Sequence, residues 1–345
     1  MSARPDYWAF WSEDAKRTGS PLYARLAEGI GGDADLKALA ARAQKGQPPA
    51  NMILGAVHFL LLRGAEHPLS RFYPTVGGTG SVEADDLFPL FADFVARHRS
   101  AIERLIESRV TNTNEVGRSA VLHAGFRAVA AEAGAPLNLI EIGPSAGLNM
   151  IWDRFGVRYT RVGETVASLM ASSPLMIECE LRGPQTPPLG PAPAIGRRVG
   201  LERHPVNLEE AEDRDWLRAL AWPDRPARLE RLDRAIALFR DAVQQVEIRR
   251  GDALDSLLDT VRAMPEREPL CVYHTIALYQ FSTAMKETVE DLLTVAGLRR
   301  PVWRLAYEFD GTDYPLALIR YHDGTRAERR LALCQPHGAW LEWLG

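Results

Sequence analysis

The run Leu139-Ile140-Glu141-Ile142-Gly143-Pro144-Ser145-Ala146-Gly147-Leu148-Asn149 holds the chemically most informative spacing in the chain. An apolar stretch enters a loop bounded by Gly143 and Gly147, and Leu148 onward reads as a helix start. Glycine at both ends lets the backbone approach a ligand closely. A helix N-terminus behind the loop offers unpaired N–H groups and a positive dipole end, suited to an anionic group. The dinucleotide fingerprint G-x-G-x-x-G is not met, because Ser145 stands where the second glycine belongs and Asn149 departs from it at the helix. Glu141, two residues before the first glycine, would also lie near a pyrophosphate. Gly143 to Gly147 literally match G-x-S-x-G, the hydrolase nucleophile elbow, with Ser145 as nucleophile and His322 or His337 as the late histidine. Proline directly before the serine, and a place on the first strand of the sheet, count against hydrolysis.

Further candidates stand at the ends of other apolar runs. Glu202 closes Arg198-Val199-Gly200-Leu201, and Asp252 follows Ile248-Arg249-Arg250-Gly251. A carboxylate suits a vicinal diol, since it accepts two hydrogen bonds. Tyr273-His274-Thr275-Ile276-Ala277-Leu278-Tyr279 offers His274 as a general base and Tyr279 to position an acceptor. Each stands at the carboxyl end of a predicted strand, where open α/β sheets bind ligands. In Thr111 to Arg118, Asn112, Thr113 or Asn114 can cap the next helix. The polar density exceeds one cap, so Asn114 and Arg118 are expected to reach a ligand over the first strand. Arg71 to Gly78 reads as a structural loop that would line an acceptor if it served a site. No P-loop, H-E-x-x-H or close His/Cys cluster occurs, so no metal is expected.

E-x-G-x-x-x-G after a first strand resembles the opening motif of class I S-adenosylmethionine-dependent methyltransferases. The resemblance implies that Glu141 faces the cationic amino group of the methionine moiety, with Gly143, Ser145 and Gly147 accepting the rest of that moiety. It implies that Glu202 bonds the ribose hydroxyls and that Asp252 lies near the adenine amino group. The usual middle glycine is serine here, which implies a different backbone path, and an insertion separates Gly147 from Glu202. The implied fold is α/β: a Rossmann-like class I methyltransferase sheet with a terminal antiparallel hairpin, preceded by an N-terminal helical region. The implied cofactor is S-adenosylmethionine and the implied activity methyl transfer to a small-molecule substrate, where alignment for in-line attack provides much of the catalysis. A non-catalytic adenosine-ligand sensor or partner-binding module on the same fold is the alternative, and a serine hydrolase using Ser145 the second. Over nearly its whole length the chain also resembles an uncharacterised bacterial family, a domain of unknown function. That resemblance rests on Thr113 to Ser119, the Gly-Pro-Ser-Ala-Gly-Leu-Asn loop, Gly200 to Pro205 and Trp222-Pro223, and brings no activity with it.

The elements that must position these residues change character along the chain. Residues 1–133 read as helical: Pro5 to Arg17, Asp33 to Ala43, Ala50 to Arg63, Asp85 to Val110 and Asn114 to Ala133 carry apolar residues at helical spacing. Residues 134–345 alternate. Apolar runs at Leu137–Ile142, Arg198–Leu201, Val246–Arg249, Leu270–Tyr273 and Val302–Tyr307 are separated by helix-like stretches at Leu148–Phe155, Leu208–Ala221 with Leu229–Gln244, Ala253–Met264 and Ser282–Ala296. That alternation predicts a parallel sheet covered on both faces. Leu316–Tyr321 and Arg329–Cys334 flank Asp323-Gly324 and predict an antiparallel hairpin. Residues 156–196 fit neither pattern and are expected to form a β-rich insertion that would serve as a lid.

Composition bounds the rest. The chain has 345 residues, 46% hydrophobic and 25% charged, the balance of a globular protein. A net charge of −4 disfavours general nucleic-acid binding. Cys179, Cys271 and Cys334 form no C-x-x-C, so a reduced cytoplasmic setting is expected. The longest apolar run, Met52–Leu62, is too short to span a bilayer. Met1 to Asp6 lacks the layout of a signal peptide. Oligomeric state is not legible.

Overall fold

The computed structural model describes residues 6–345; the leader reading at Met1–Pro5 lies outside them. Contacts divide the chain into two units, one running to Thr113 with Val206–Asp233, the other Asn114–Pro205 with Arg234–Gly345.

The first unit is helical. It holds α1 (Tyr7–Arg17), α2 (Pro21–Gly32), α3 (Ala34–Ala40), α4 (Pro49–Leu62), α5 (Leu87–Arg97) and α6 (Arg99–Ser108). The Asp33 carboxylate caps α3 by accepting from the amides of Asp35 and Leu36, both at 2.9 Å. α3 stops at Ala40, short of the expected Ala43, and the stretch expected from Asp85 to Val110 is divided at His98. α4 is apolar almost all round and is the buried centre, with Met52, Ile53, Leu54, Val57 and Leu61 in the core. Among the described residues, no helix is long and apolar enough to cross a membrane.

The second unit opens with α7 (Ser119–Ala133), which the sequence reading placed in the N-terminal region. Its residues Ser119 to Val129 are all buried, so its packing, not its position in the chain, decides where it belongs. β1 (Leu137–Ile142) follows, then β2 (Gly156–Arg161), β3 (Glu164–Leu169), β4 (Met176–Arg182) and β5 (Ile195–Glu202). α8 (Ala211–Ala219) returns to the helical unit, and α9 (Pro226–Ala242) spans the division. β6 (Glu247–Arg250), α10 (Ala253–Arg262), β7 (Leu270–Thr275), α11 (Thr283–Gly297), β8 (Val302–Tyr307), β9 (Tyr314–His322), β10 (Thr325–Cys334) and β11 (Trp340–Trp343) complete it.

All eleven strands form one mixed, mostly parallel sheet, ordered β3-β2-β4-β11-β10-β9-β8-β7-β1-β5-β6. β1 and β7 lie inside it and are buried at every position, which explains why they read as unbroken apolar runs. β8–β9 and β9–β10 pair antiparallel, as the hairpin predicts, and its turn residues Asp323 and Gly324 have φ of 48° and 73°. Ile140, Val199, Val272 and Ile319 pack under Leu257 of α10 and Leu293 of α11. Residues 156–196 are β-rich, as expected, but not a lid. β4 pairs parallel with β11, so the insertion extends the main sheet.

Candidate functional site

β1 is flanked by β5 and β7, both parallel to it, so the carboxyl ends of the three strands lie side by side. Glu141 is in register with Gly200 on one side and Tyr273 on the other. The loop after β1 turns sharply: φ is 72° at Gly143, 58° at Ser145 and 79° at Gly147. A Cβ on Gly143 would lie 2.9 Å from the Ala277 methyl. Gly200 plays a complementary part. A Cβ there would lie 2.6 Å from Pro144 Cγ, so only a bare position lets the loop cross β5. A glycine inside a strand beside Glu202 was the sequence signal for this contact.

Four amides of the loop and the turn after it are taken. Gly143 N–H donates to Leu201 O at 3.0 Å, Ser145 N–H to Glu202 Oε2 at 2.9 Å, Gly147 N–H to Pro144 O at 2.8 Å and Leu148 N–H to Asn114 Oδ1 at 3.0 Å. The expected helix at 148–155 is instead a 3-10 run, Leu148–Arg154, and Asn114 caps it. Those four amides are therefore not free for the anion expected at this loop. Glu202 adds a carboxylate against the loop, which disfavours a phosphate beside it.

Glu202 binds the protein with each oxygen: Oε1 accepts from His204 N–H and Oε2 from Ser145 N–H, both at 2.9 Å. A carboxylate oxygen has two acceptor positions, so each keeps one for a ligand hydroxyl. Asp252 caps α10 through Leu254 N–H at 3.0 Å and pairs with Arg203. Burial pushes its carboxyl up, but the Arg203 and Leu254 hydrogen bonds outweigh that and leave it below the usual range.

Glu141 is the electrostatic outlier of the site. It is 1% exposed, and Tyr273 donates its hydroxyl to Oε2 at 2.8 Å. Burial pushes its carboxyl up to about 8; the Tyr273 bond and the Arg118 charge oppose this, and the Glu202 charge adds to it. Glu141 therefore carries a proton near neutral pH. Arg118 ties two loops together, donating Nη1 to Thr275 O at 2.7 Å and Nε to Pro336 O at 2.9 Å. Asn149, which sequence reading set aside as a departure from a fingerprint, is a strut: it accepts from Ser119 Oγ at 3.0 Å and donates to Glu115 O at 3.2 Å.

His274 does not fit the base role expected of it. Its ring is fully buried, Nδ1 lies 2.7 Å from Glu308 Oε1, and Arg304 Nε donates to Nε2 at 2.9 Å. Arg304 has only donors, so Nε2 accepts and Nδ1–H donates to Glu308. Burial and the Arg304 charge push its pKa down. Both nitrogens are committed, and no substrate reaches them. Glu308 Oε1 also accepts from the amides of Ala277 and Leu278, at 2.8 and 3.0 Å, so His274 helps pin the loop after β7. Tyr279 lies on that loop and is 61% exposed.

Of the two late histidines, His322 ends β9 at the amino edge of β8, where Val302 pairs with Tyr321, on the opposite edge of the sheet from Ser145. His337 lies on the loop edge, with Nδ1 3.1 Å from Glu115 Oε2. Ser145 is 3% exposed. Among the described residues, no group of three His, Cys, Asp or Glu side chains could hold a metal ion.

Residues 9–343 match the model of a family described as uncharacterized protein conserved in bacteria (DUF2332). No curated protein and no solved structure matches the chain.

Proposed function

We propose that this chain, which belongs to the DUF2332 family of proteins conserved in bacteria, binds S-adenosylmethionine at the carboxyl edge of β1, β5 and β6 and directs methyl transfer to a small-molecule acceptor. One observation carries the reading. Glu202 takes the Ser145 amide of the glycine loop and Asn114 the Leu148 amide, and the buried Glu141 carboxyl lies close enough to Glu202 to feel its charge. Two carboxyl groups suit a ligand with a cationic amino group and a vicinal diol, which they meet as acceptors.

Topology supports it. Counted along the chain without the insertion, the parallel strands β6, β5, β1, β7 and β8 stand in the order third, second, first, fourth, fifth. That order agrees with the Rossmann-like sheet this reading calls for, in which ligands bind where the order reverses, here beside β1. In this reading Glu141 meets the amino group and Gly143, Ser145 and Gly147 line the methionine portion. Glu202 holds the ribose, and Asp252 lies by the adenine. Asn114 and Arg118 hold the loops in place, and Tyr279 stands on the acceptor side. The bound cofactor supplies an electrophilic methyl group; the chain's part is to orient it and exclude water.

Isothermal titration with S-adenosylmethionine and S-adenosylhomocysteine, with NADH as control, tests the reading. Micromolar binding of the first two and none of NADH is expected; no heat from either adenosyl ligand refutes it. Hydrolysis at Ser145 is a second reading, favoured by the Glu115–His337 pair on the same edge of the sheet. Fluorophosphonate labelling of Ser145 would establish it, and an unlabelled serine removes it.

A further inference from the structure

Three of the eleven large apolar side chains exposed among the described residues lie close together in the chain: Val162, Val166 and Met170, at 92%, 37% and 43%. They sit on β3 and just outside its two ends. β3 closes the strand order, so its outer edge has no strand beside it. Such an edge presents unpaired N–H and C=O groups, and proteins blunt it with charges, proline or short length. The opposite edge strand, β6, is blunted in this way: it has four residues, and Glu247 and Arg249 pair along it. β3 is longer, and from Thr165 to Ser173 the chain carries neither a charge nor a proline.

The backbone marks the same segment. Val162 and Met170 have φ of 52° and 49°, two of the five non-glycine residues in the left-handed region among the described residues. Val162 and Gly163 form the turn between β2 and β3, where Asn or Asp is favoured at the first position and a branched side chain is strained. At 92% exposure, Val162 gains no burial within the chain for that strain. The β2–β3 register shifts between Tyr159 and Thr160 and leaves Val166 without a partner on β2.

We propose that β3 pairs antiparallel with β3 of a second copy of this chain, about a two-fold axis at Val166, so that the two sheets become one. Symmetry and charge select this occupant. Val162 and Met170 each lie four residues from Val166. A two-fold there sets Val166 against itself and Val162 of each copy against Met170 of the other, which covers all three apolar side chains at once. A foreign strand would have to match that spacing independently, whereas a second copy matches it by symmetry. Glu164, the one charged residue of β3, then faces Ser168 of the second copy, with Arg158 next in that row, so no like charges meet.

Sedimentation velocity on the full chain tests the pairing. One strand edge is a small interface, so the chain should be monomeric near ~1 μM and mostly dimeric at ~200 μM. Val166→Lys opposes two like charges on the axis and should weaken the dimer about tenfold or more. Its melting temperature should be unchanged near ~1 μM. Val295→Lys, at a site 47% exposed on α11, should dimerise like the parent. Cysteine variants check the register, since the three native cysteines are buried. Opposed residues of an antiparallel pair lie within disulfide reach. Under mild oxidation Val166→Cys should therefore give a linked dimer. Val162→Cys, though more exposed, should not link to itself, but should link when combined with Met170→Cys. A parent that stays monomeric at ~200 μM overturns the proposal. So does a folded Val166→Lys variant that dimerises like the parent, or Val162→Cys linking to itself as fast as Val166→Cys.

Discussion

Glu141→Gln should stabilise the protein while it abolishes the binding proposed at the glycine loop. Between its ordinary pKa of 4.5 and its folded value of about 8, the folded chain holds a proton at Glu141 that the unfolded chain releases. Stability falls with pH wherever the native state binds more protons, by ~1.4 kcal/mol per pH unit for one group. Around pH 7 the buried carboxyl therefore costs up to about 3 kcal/mol relative to acid conditions. Glutamine is neutral throughout and still accepts the Tyr273 hydroxyl, so it escapes that cost. At about 2–4 °C per kcal/mol, the variant should melt on the order of 5–10 °C above the parent near pH 7, and the gap should close toward pH 4.5, the ordinary value. Thermal melts of both proteins across that range measure it. For the parent, a cationic ligand that ionises Glu141 would release a proton on binding, which calorimetry in two buffers of different ionisation enthalpy detects. Parallel melting curves with no gap at neutral pH would refute the burial argument. A stabilised variant that still binds S-adenosylmethionine normally would refute the role given to Glu141.

Glu202→Ala removes the acceptor for the Ser145 and His204 amides; stability should fall by about 1–3 kcal/mol, and affinity for the adenosyl ligand by at least about tenfold, read by calorimetry. Gly200→Ala places a methyl group 2.6 Å from Pro144 Cγ and should cost about 1–3 kcal/mol in denaturant titration, with weaker ligand binding because the loop must shift. His274→Ala leaves the buried Arg304 without one of its acceptors and should cost about 3 kcal/mol, and no step in any methyl-transfer pH profile should follow its titration. In the parent, His274 stays neutral below its ordinary value of 6.5 while the unfolded chain charges. Its stabilising contribution is therefore lost as pH falls through that range, a slope that His274→Ala should remove.

Much of the frame is local and was legible in residue order. β1 and β7 announced themselves as apolar runs because they are buried on both faces. The last hairpin was legible because Asp323-Gly324 tolerates two consecutive positive φ values. Gly143 and Gly147 marked the loop because their backbone is left-handed there. Asp33 and Asp252 are helix caps that act within two or three residues, a span the sequence displays directly.

What the sequence could not display is pairing at a distance. β4 joins the main sheet through β11, about as far along the chain as a partner can be, so the insertion looked detachable. α7 belongs to the sheet unit because Ser119 to Val129 are all buried there, not because of any break in its own periodicity. The 3-10 run at Leu148–Arg154 and the closed loop depend on Asn114 and Glu202. His274 was a plausible base as a residue type. Its role was decided by Arg304 and Glu308, which the neighbouring strand β8 and the residue after it carry to the two nitrogens of one buried ring. Backbone propensity and burial pattern are properties of a segment. Hydrogen-bond partners and the burial of a charge are properties of the neighbours that folding brings, and these determined the partners of the loop amides and the proton on Glu141.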